Sequence, residues 1–149
     1  MTKAIGFKIF KDKESPLSLY PKVSSLIDLW IKHLGRNLNQ FGFHQHFRPI
    51  KKLGSGGFAT VYEAERLFDR KHFAIKAFSK QNTIFSSDLS KKMNLLNEIQ
   101  LLRTFDSPHL IKCEGVFESE NSIYIVLELL AEGQLHTRIN SRKAQFSLQ

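Results

Sequence analysis

Lys76, Glu98 and the run Leu53-Gly54-Ser55-Gly56-Gly57-Phe58-Ala59-Thr60-Val61 are the residues of this chain whose types and spacing could do chemistry together. That chemistry is the holding of a phosphate-bearing ligand. Glycines at the tip of a hairpin let a ligand approach the backbone without Cβ interference and aim N–H groups at phosphate oxygens. In Phe73-Ala74-Ile75-Lys76 the two-residue period of a strand puts Ala74 and Lys76 on one face. A small side chain there leaves room for an adenine ring, and a lysine two places on reaches toward the α- and β-phosphates. Glu98 stands at the edge of a helical apolar stripe, one turn after Leu95 and one before Leu102. A charge at such a boundary wants a partner if it is buried at all, and Lys76 is the candidate. Each feature also has a plain reading: a flexible hairpin, a snorkelling strand lysine, a glutamate facing water.

Three kinds of phosphate loop compete for the glycines. A Walker A loop requires Lys-Ser/Thr after its last glycine, which this chain does not have. A dinucleotide fingerprint is met in outline by Gly54, Gly56 and Ala59. It must open a helix, however, and be followed about 20 residues later by an acidic side chain. Thr60, Val61 and Tyr62 favour a strand, and position 79 lies among Phe78, Ser79 and Lys80. The third kind, Gly-x-Gly-x-x-Gly-x-Val between two antiparallel strands, fits at every position but one: Ala59 replaces its last glycine.

The elements that must position these residues are read from periodicity. Strands are expected over 47–53, 59–65 and 72–78, where β-branched and aromatic residues cluster. A polar stretch, 79–88, leads into an amphipathic helix over 89–102 whose Leu95, Ile99 and Leu102 follow the i, i+4, i+7 pattern. Ser107-Pro108-His109 turns into a strand over 110–118, and a second strand, 122–129, follows the turn at Ser119–Asn121. Beyond it, Ala131-Glu132-Gly133-Gln134-Leu135 offers a small-residue link whose backbone could meet a planar base. Earlier in the chain, 4–10 and 17–20 are expected as short strands. A helix opened by Ser24, Ser25 and Asp28 carries Leu26, Trp30 and Leu34, with Gly35 as its C-cap. Residues 41–46 are expected to be a connector, with His44 and His46 exposed. The pair has no third or fourth ligand at metal spacing.

The order glycine loop, Ala-x-Lys, helix glutamate, Ser-Pro-His, Val-Leu-Glu-Leu and Gly-Gln-Leu resembles the small lobe of serine/threonine protein kinases. Within them it looks most like the calcium/calmodulin-dependent group, over Phe47 to about Ile139. The resemblance implies an α+β fold, a five-stranded antiparallel sheet with one regulatory helix, preceded by a strand-strand-helix extension. The implied domains are 1–40 (extension), 41–46 (linker) and 47–149 (small lobe and hinge). It also implies that ATP is bound. Leu53, Val61 and Ala74 would enclose adenine, and backbone N–H groups from Gly54 through Ser55, Gly56, Gly57, Phe58 and Ala59 would cover the phosphates. Lys76 would bind the α- and β-phosphates, with Glu98 orienting it. Leu127 would limit the back of the adenine pocket, and the backbone of Glu128 and Leu130 would hydrogen-bond the base. Gln134 stands where many members place a glutamate that contacts ribose or a basic substrate residue, so a basic-substrate preference is not implied.

The family's reaction, transfer of the γ-phosphoryl of Mg-ATP to protein Ser/Thr, needs a His-Arg-Asp loop, an asparagine and an Asp-Phe-Gly metal ligand. Neither triplet occurs in these 149 residues. No catalytic residue and no Mg²⁺ ligand is therefore assigned, and the chain by itself is expected to be inactive, a truncated lobe or incomplete gene model. The other reading is a non-catalytic module that engages a partner through the helix 89–102 and the basic start. Residues 4–40 also resemble the closing strands and Trp-bearing helix of a pleckstrin-homology domain. An ordinary amphipathic extension with Trp30 docked on the lobe would look the same. That family's phosphoinositide loops would lie earlier, so lipid binding is not implied.

Composition agrees with a small globular domain: 42% hydrophobic and 24% charged residues, with 13 Phe read as core. The net charge is +8, and residues 1–50 hold 8 basic against 3 acidic residues. No Lys/Arg run exceeds two residues, so the charge is read as a solvated face without nucleic-acid character. A single cysteine, Cys113, fits a reducing compartment and is read as core; the chain is expected to be cytoplasmic.

Overall fold

The computed structural model describes residues 6–11, 14–23, 25–105, 107–130 and 139. Twelve elements follow in chain order among them. The first six are β1 (Phe7–Ile9), β2 (Leu17–Leu19), α1 (Leu26–Asn37), β3 (Asn39–Gln40), α2 (Phe43–His46) and β4 (Phe47–Ser55). Then come β5 (Thr60–Arg66), β6 (His72–Ser79), α3 (Lys80–Thr83), α4 (Leu89–Thr104), β7 (Cys113–Glu118) and β8 (Ser122–Glu128).

The main sheet has the order β3-β7-β8-β6-β5-β4. Its last five strands pair antiparallel, as the sequence leads one to expect. A sixth strand departs from the expected five: β3 adds in parallel to β7, with Asn39 opposite Val116 and Gln40 opposite Phe117. Two residues carry too little periodicity to announce a strand. At the opposite edge β4 is solvated after Phe47. It is blunted by Pro49, two register irregularities and the charges of Arg48, Lys51 and Lys52. Such features discourage further strand pairing.

Strand alternation sorts the core onto two faces. Phe73, Ile75, Ala64, Phe117 and Val126 point to one side, where Phe43 and Phe47 close over them. Phe78, Val116, Ile123 and Ile125 point to the other, where α4 lays down Leu95 and Ile99. The connector expected at 41–46 is thus part of the core. Phe43 is buried, stacked on Tyr124 with centroids 4.1 Å apart and on Phe47 at 5.4 Å. His44 and His46 stay exposed.

Three further boundaries differ from expectation. α1 runs through Gly35 to Asn37, so Gly35 is an interior, buried residue rather than a cap. A Cβ on Gly35 would lie 2.7 Å from Nε2 of Gln40, and one on Gly115 would lie 2.9 Å from it. The two glycines make the space that the Gln40 side chain occupies. Strand β7 begins at Cys113, not at 110, because β8 ends at Glu128 and leaves Leu110 and Ile111 no strand to face. Lys112 alone is tied there: its carbonyl accepts from Glu128 N–H at 3.0 Å. Finally, the polar stretch 79–88 contains α3, whose Thr83 is buried and donates its hydroxyl to the Ser79 carbonyl at 2.8 Å. Trp30 on α1 meets Phe7 on β1 edge-to-face at 5.9 Å. No helix among the described residues is long and apolar enough to cross a membrane.

Candidate functional site: a glycine loop over a lysine–glutamate pair

Lys76 is placed by the middle strand of the sheet. Its register partners are Val61 on β5 and Ile125 on β8, so its side chain leaves the face that α4 covers. Glu98 arrives from α4 on the same face. The Lys76 ammonium donates to both carboxylate oxygens, at 2.7 Å to Oε1 and 2.9 Å to Oε2. Both side chains are about one-third exposed. The pair therefore sits at the rim of a cleft, open to a ligand rather than sealed in the core. The Phe78 ring centroid lies 5.3 Å from Nζ and offers the ammonium a second favourable contact.

The helix that delivers Glu98 is capped at its start. Asp88 accepts from Ser90 N–H at 3.0 Å, which satisfies one of the free amides of the first turn. The hydrogen bonds from the Ser90 hydroxyl and amide, helped by Lys91, hold the Asp88 carboxyl below its ordinary value against the opposing effect of burial.

The hairpin β4–β5 closes over Lys76. Gly56 N–H donates to the Ala59 carbonyl at 2.9 Å across its tip. A Cβ on Gly54, Gly56 or Gly57 would meet nothing within 4 Å. None of the three has a positive φ. Neither crowding nor backbone strain within the chain asks for glycine there, and what remains is room for a molecule approaching the loop. Beneath it lies a cavity of about 230 Å³, lined on one side by Gly56, Gly57, Phe58 and Ala59, and on the other by Lys76, Lys91 and Glu98. Lys91 also stands 5.5 Å from the centroid of the Phe58 ring, linking loop tip to helix.

Ala74 and Leu127 are register partners, adjacent on the cleft face one step from the Val61–Lys76 pair. Val61, Ala74 and Leu127 are half-buried there, whereas Leu53 and Leu130 are exposed. Gln134 and the rest of the 131–135 link lie outside the described residues. Thr83, Lys91 and Asn94, absent from the sequence-based set, also line the cavity. The helical spacing of 91, 94, 95 and 98 would have found two of them, since these positions share the face that carries Glu98.

Cys113 is half-buried, and burial pushes its thiol pKa up, the opposite of what a nucleophile requires. Among the described residues no group of three or more His, Cys, Asp or Glu side chains is arranged to hold a metal ion.

A largely antiparallel sheet with α4 on its cleft face, a glycine hairpin and a lysine–glutamate pair together make a mixed α+β lobe with a cleft at one side. The family model that matches is the protein kinase domain, over residues 47–149. The chain belongs to the protein kinase family. Its relatives include serine/threonine-protein kinase cds1 of Schizosaccharomyces pombe, 30% identical over 93 residues, covering 62% of this chain and 20% of that protein. Calcium-dependent protein kinase 4 of Plasmodium berghei is 33% identical over 101 residues, 68% of this chain and 19% of that protein. Serine/threonine-protein kinase ULK3 of Xenopus laevis is 36% identical over 100 residues, 66% of this chain and 20% of that protein. The chain thus spans about a fifth of the length of these relatives.

Proposed function

We propose that this chain is the ATP-binding small lobe of a serine/threonine protein kinase of the calcium/calmodulin-dependent type. The observation that carries the reading is the Lys76–Glu98 pair beneath a glycine loop whose glycines have no internal reason to be glycine. Loop N–H groups from Gly54 to Ala59 would receive the phosphates, and Lys76, oriented by Glu98, would neutralise the α/β pair. Val61, Ala74, Leu127 and Leu53 would hold the adenine. The Glu128 amide is already engaged with the Lys112 carbonyl, so the backbone donor to the base falls to Leu130. Gln134 would face the ribose side. The parent protein would transfer the γ-phosphoryl to a protein hydroxyl. The 149 residues lack the His-Arg-Asp and Asp-Phe-Gly triplets, so binding rather than transfer is the activity expected of them. Residues 4–40, which carry Trp30, are read either as the end of a pleckstrin-homology-like domain or as an ordinary amphipathic extension of the lobe.

The test is a titration of the ¹⁵N-labelled chain with ATP into the millimolar range, because one wall of a cleft binds weakly. Shifts confined to Gly54–Val61, Ala74–Lys76 and Leu127–Leu130 are expected. Lys76→Met should weaken binding about tenfold or more, the loss of one charge-assisted contact. Equal affinity in that variant, or shifts elsewhere, would overturn the assignment.

A further inference from the structure

Asn39 joins three elements through one side chain. Its amide oxygen accepts from Arg103 Nη2 on the last turn of α4 at 2.8 Å. Its amide nitrogen donates to Glu118 Oε2 at the end of β7 at 2.7 Å. Glu118 in turn is held from its other oxygen by Lys80 Nζ, where α3 begins. Asn39 is itself fixed by the parallel ladder to Val116 and by its neighbour Gln40, whose Nε2 reaches the Gly35 carbonyl at 3.4 Å.

We propose that Asn39 is a positioning residue for the Lys76–Glu98 pair: the extension latches the C-terminal end of α4 and so sets how well the lobe takes nucleotide. This rests on the nucleotide reading of the site. The physical basis is the geometry of a helix held from two sides. Arg103 follows Glu98 by five residues, about 7.5 Å along the axis and roughly 140° around it. Glu98 ties one side of α4 to the middle of the sheet, and Arg103 ties another side to its β3 edge. Two tethers at different azimuths fix the roll of the helix. With one alone, roll is resisted by the packing of Leu95 and Ile99, which has no directional preference. Arg103 also needs its partner: burial lowers its pKa, and its Nε has no hydrogen-bond partner.

The test uses the full chain and reads the pair directly, as the rate at which an amine-reactive acylating reagent modifies Lys76, with exposed Lys52 as internal reference. Glu98→Ala sets the rate of an untethered lysine. Asn39→Ala is expected to raise the Lys76 rate about threefold to tenfold toward that limit. Hydrogen exchange of α4 amides should rise with it while that of β5 and β6 stays unchanged. Asn39→Asp keeps the acceptor for Arg103 but sets its carboxylate against that of Glu118, so its Lys76 rate is expected between those of Asn39→Ala and wild type. Adding Glu118→Gln to Asn39→Asp should restore the wild-type rate, because the glutamine can donate to the new acceptor while its oxygen faces Lys80. A wild-type Lys76 rate in Asn39→Ala overturns the proposal, as does failure of the double variant to rescue or loss of sheet protection in every variant. ATP affinity, measured in parallel, separates the two ideas. A wild-type chain that ignores ATP sinks the nucleotide reading, and the acylation rates still decide the latch.

Discussion

At the scale of single residues, two groups of side chains do opposite things. The Lys76–Glu98 pair is left one-third open at the rim of a cleft, and the glycines above it have empty space where side chains would be. Gly56→Ala should therefore change stability by no more than about 0.5 kcal/mol in a denaturant titration. The same variant should bind ATP several-fold more weakly. A substitution that is silent for folding and costly for binding is the signature of a ligand-facing position. Arg66 and Asp69, by contrast, work for the fold. The Arg66 guanidinium donates to both Asp69 oxygens, at 2.9 and 2.7 Å, and shapes the β5–β6 turn. It holds the Asp69 carboxyl down to about 2. An unfolded Asp titrates near 3.9, so the folded pKa is the lower one. The turn's contribution is thus complete above about pH 4 and is lost as pH falls toward about 2. Acid titrations of wild type and Asp69→Asn should differ above pH 4 and converge near pH 2.

Among the elements, the segment between α1 and the sheet matters more than its length suggests. Phe43 lies on a four-residue helix, yet its ring fills the face of the sheet opposite α4, against Phe47, Phe117 and Tyr124. Phe43→Ala should cost about 3–5 kcal/mol in chemical denaturation, the range for removing a buried aromatic ring. Helix α4 is the other element under tension between uses. It must bury Leu95 and Ile99, present Glu98 and keep its capped start. Asp88→Ala removes the cap and should cost about 1 kcal/mol. Its hydrogen-exchange signature should be confined to the first turn of α4, leaving the sheet protected.

Across the molecule, the extension and the lobe share one sheet. Deleting residues 1–40 removes the β3 strand with the Asn39 and Gln40 bonds. A few hydrogen bonds, two of them to charged groups, should lower the thermal midpoint by roughly 5–10 °C in a calorimetric scan. An unchanged midpoint would mean that the sixth strand adds nothing to the lobe. The exposed Leu101, Phe105, Leu110 and Ile111 are all large apolar residues near the end of α4 and the turn that follows it.

Local pattern was enough to place five strands and the long helix, and to single out Lys76, Glu98 and the glycine run. Each of these is written in short-range terms: a two-residue or 3.6-residue apolar period, a run of glycines, a small residue two places before a lysine. It also named the partner of Lys76, because a glutamate on the buried edge of a helix has few ways to be satisfied. The folded chain settled what such patterns do not encode. The parallel strand β3 is two residues long and exists only because β7 lies beside it. Gly35 reads as a helix end until the Gln40 side chain is seen to need its space. Phe43 reads as linker until the sheet presents Phe117 and Tyr124 to it. The link from Asn39 to Arg103 spans 64 residues, and no spacing rule reaches that far. Periodicity records which side of an element is buried, but the neighbour it is buried against is chosen by the packing of the entire chain.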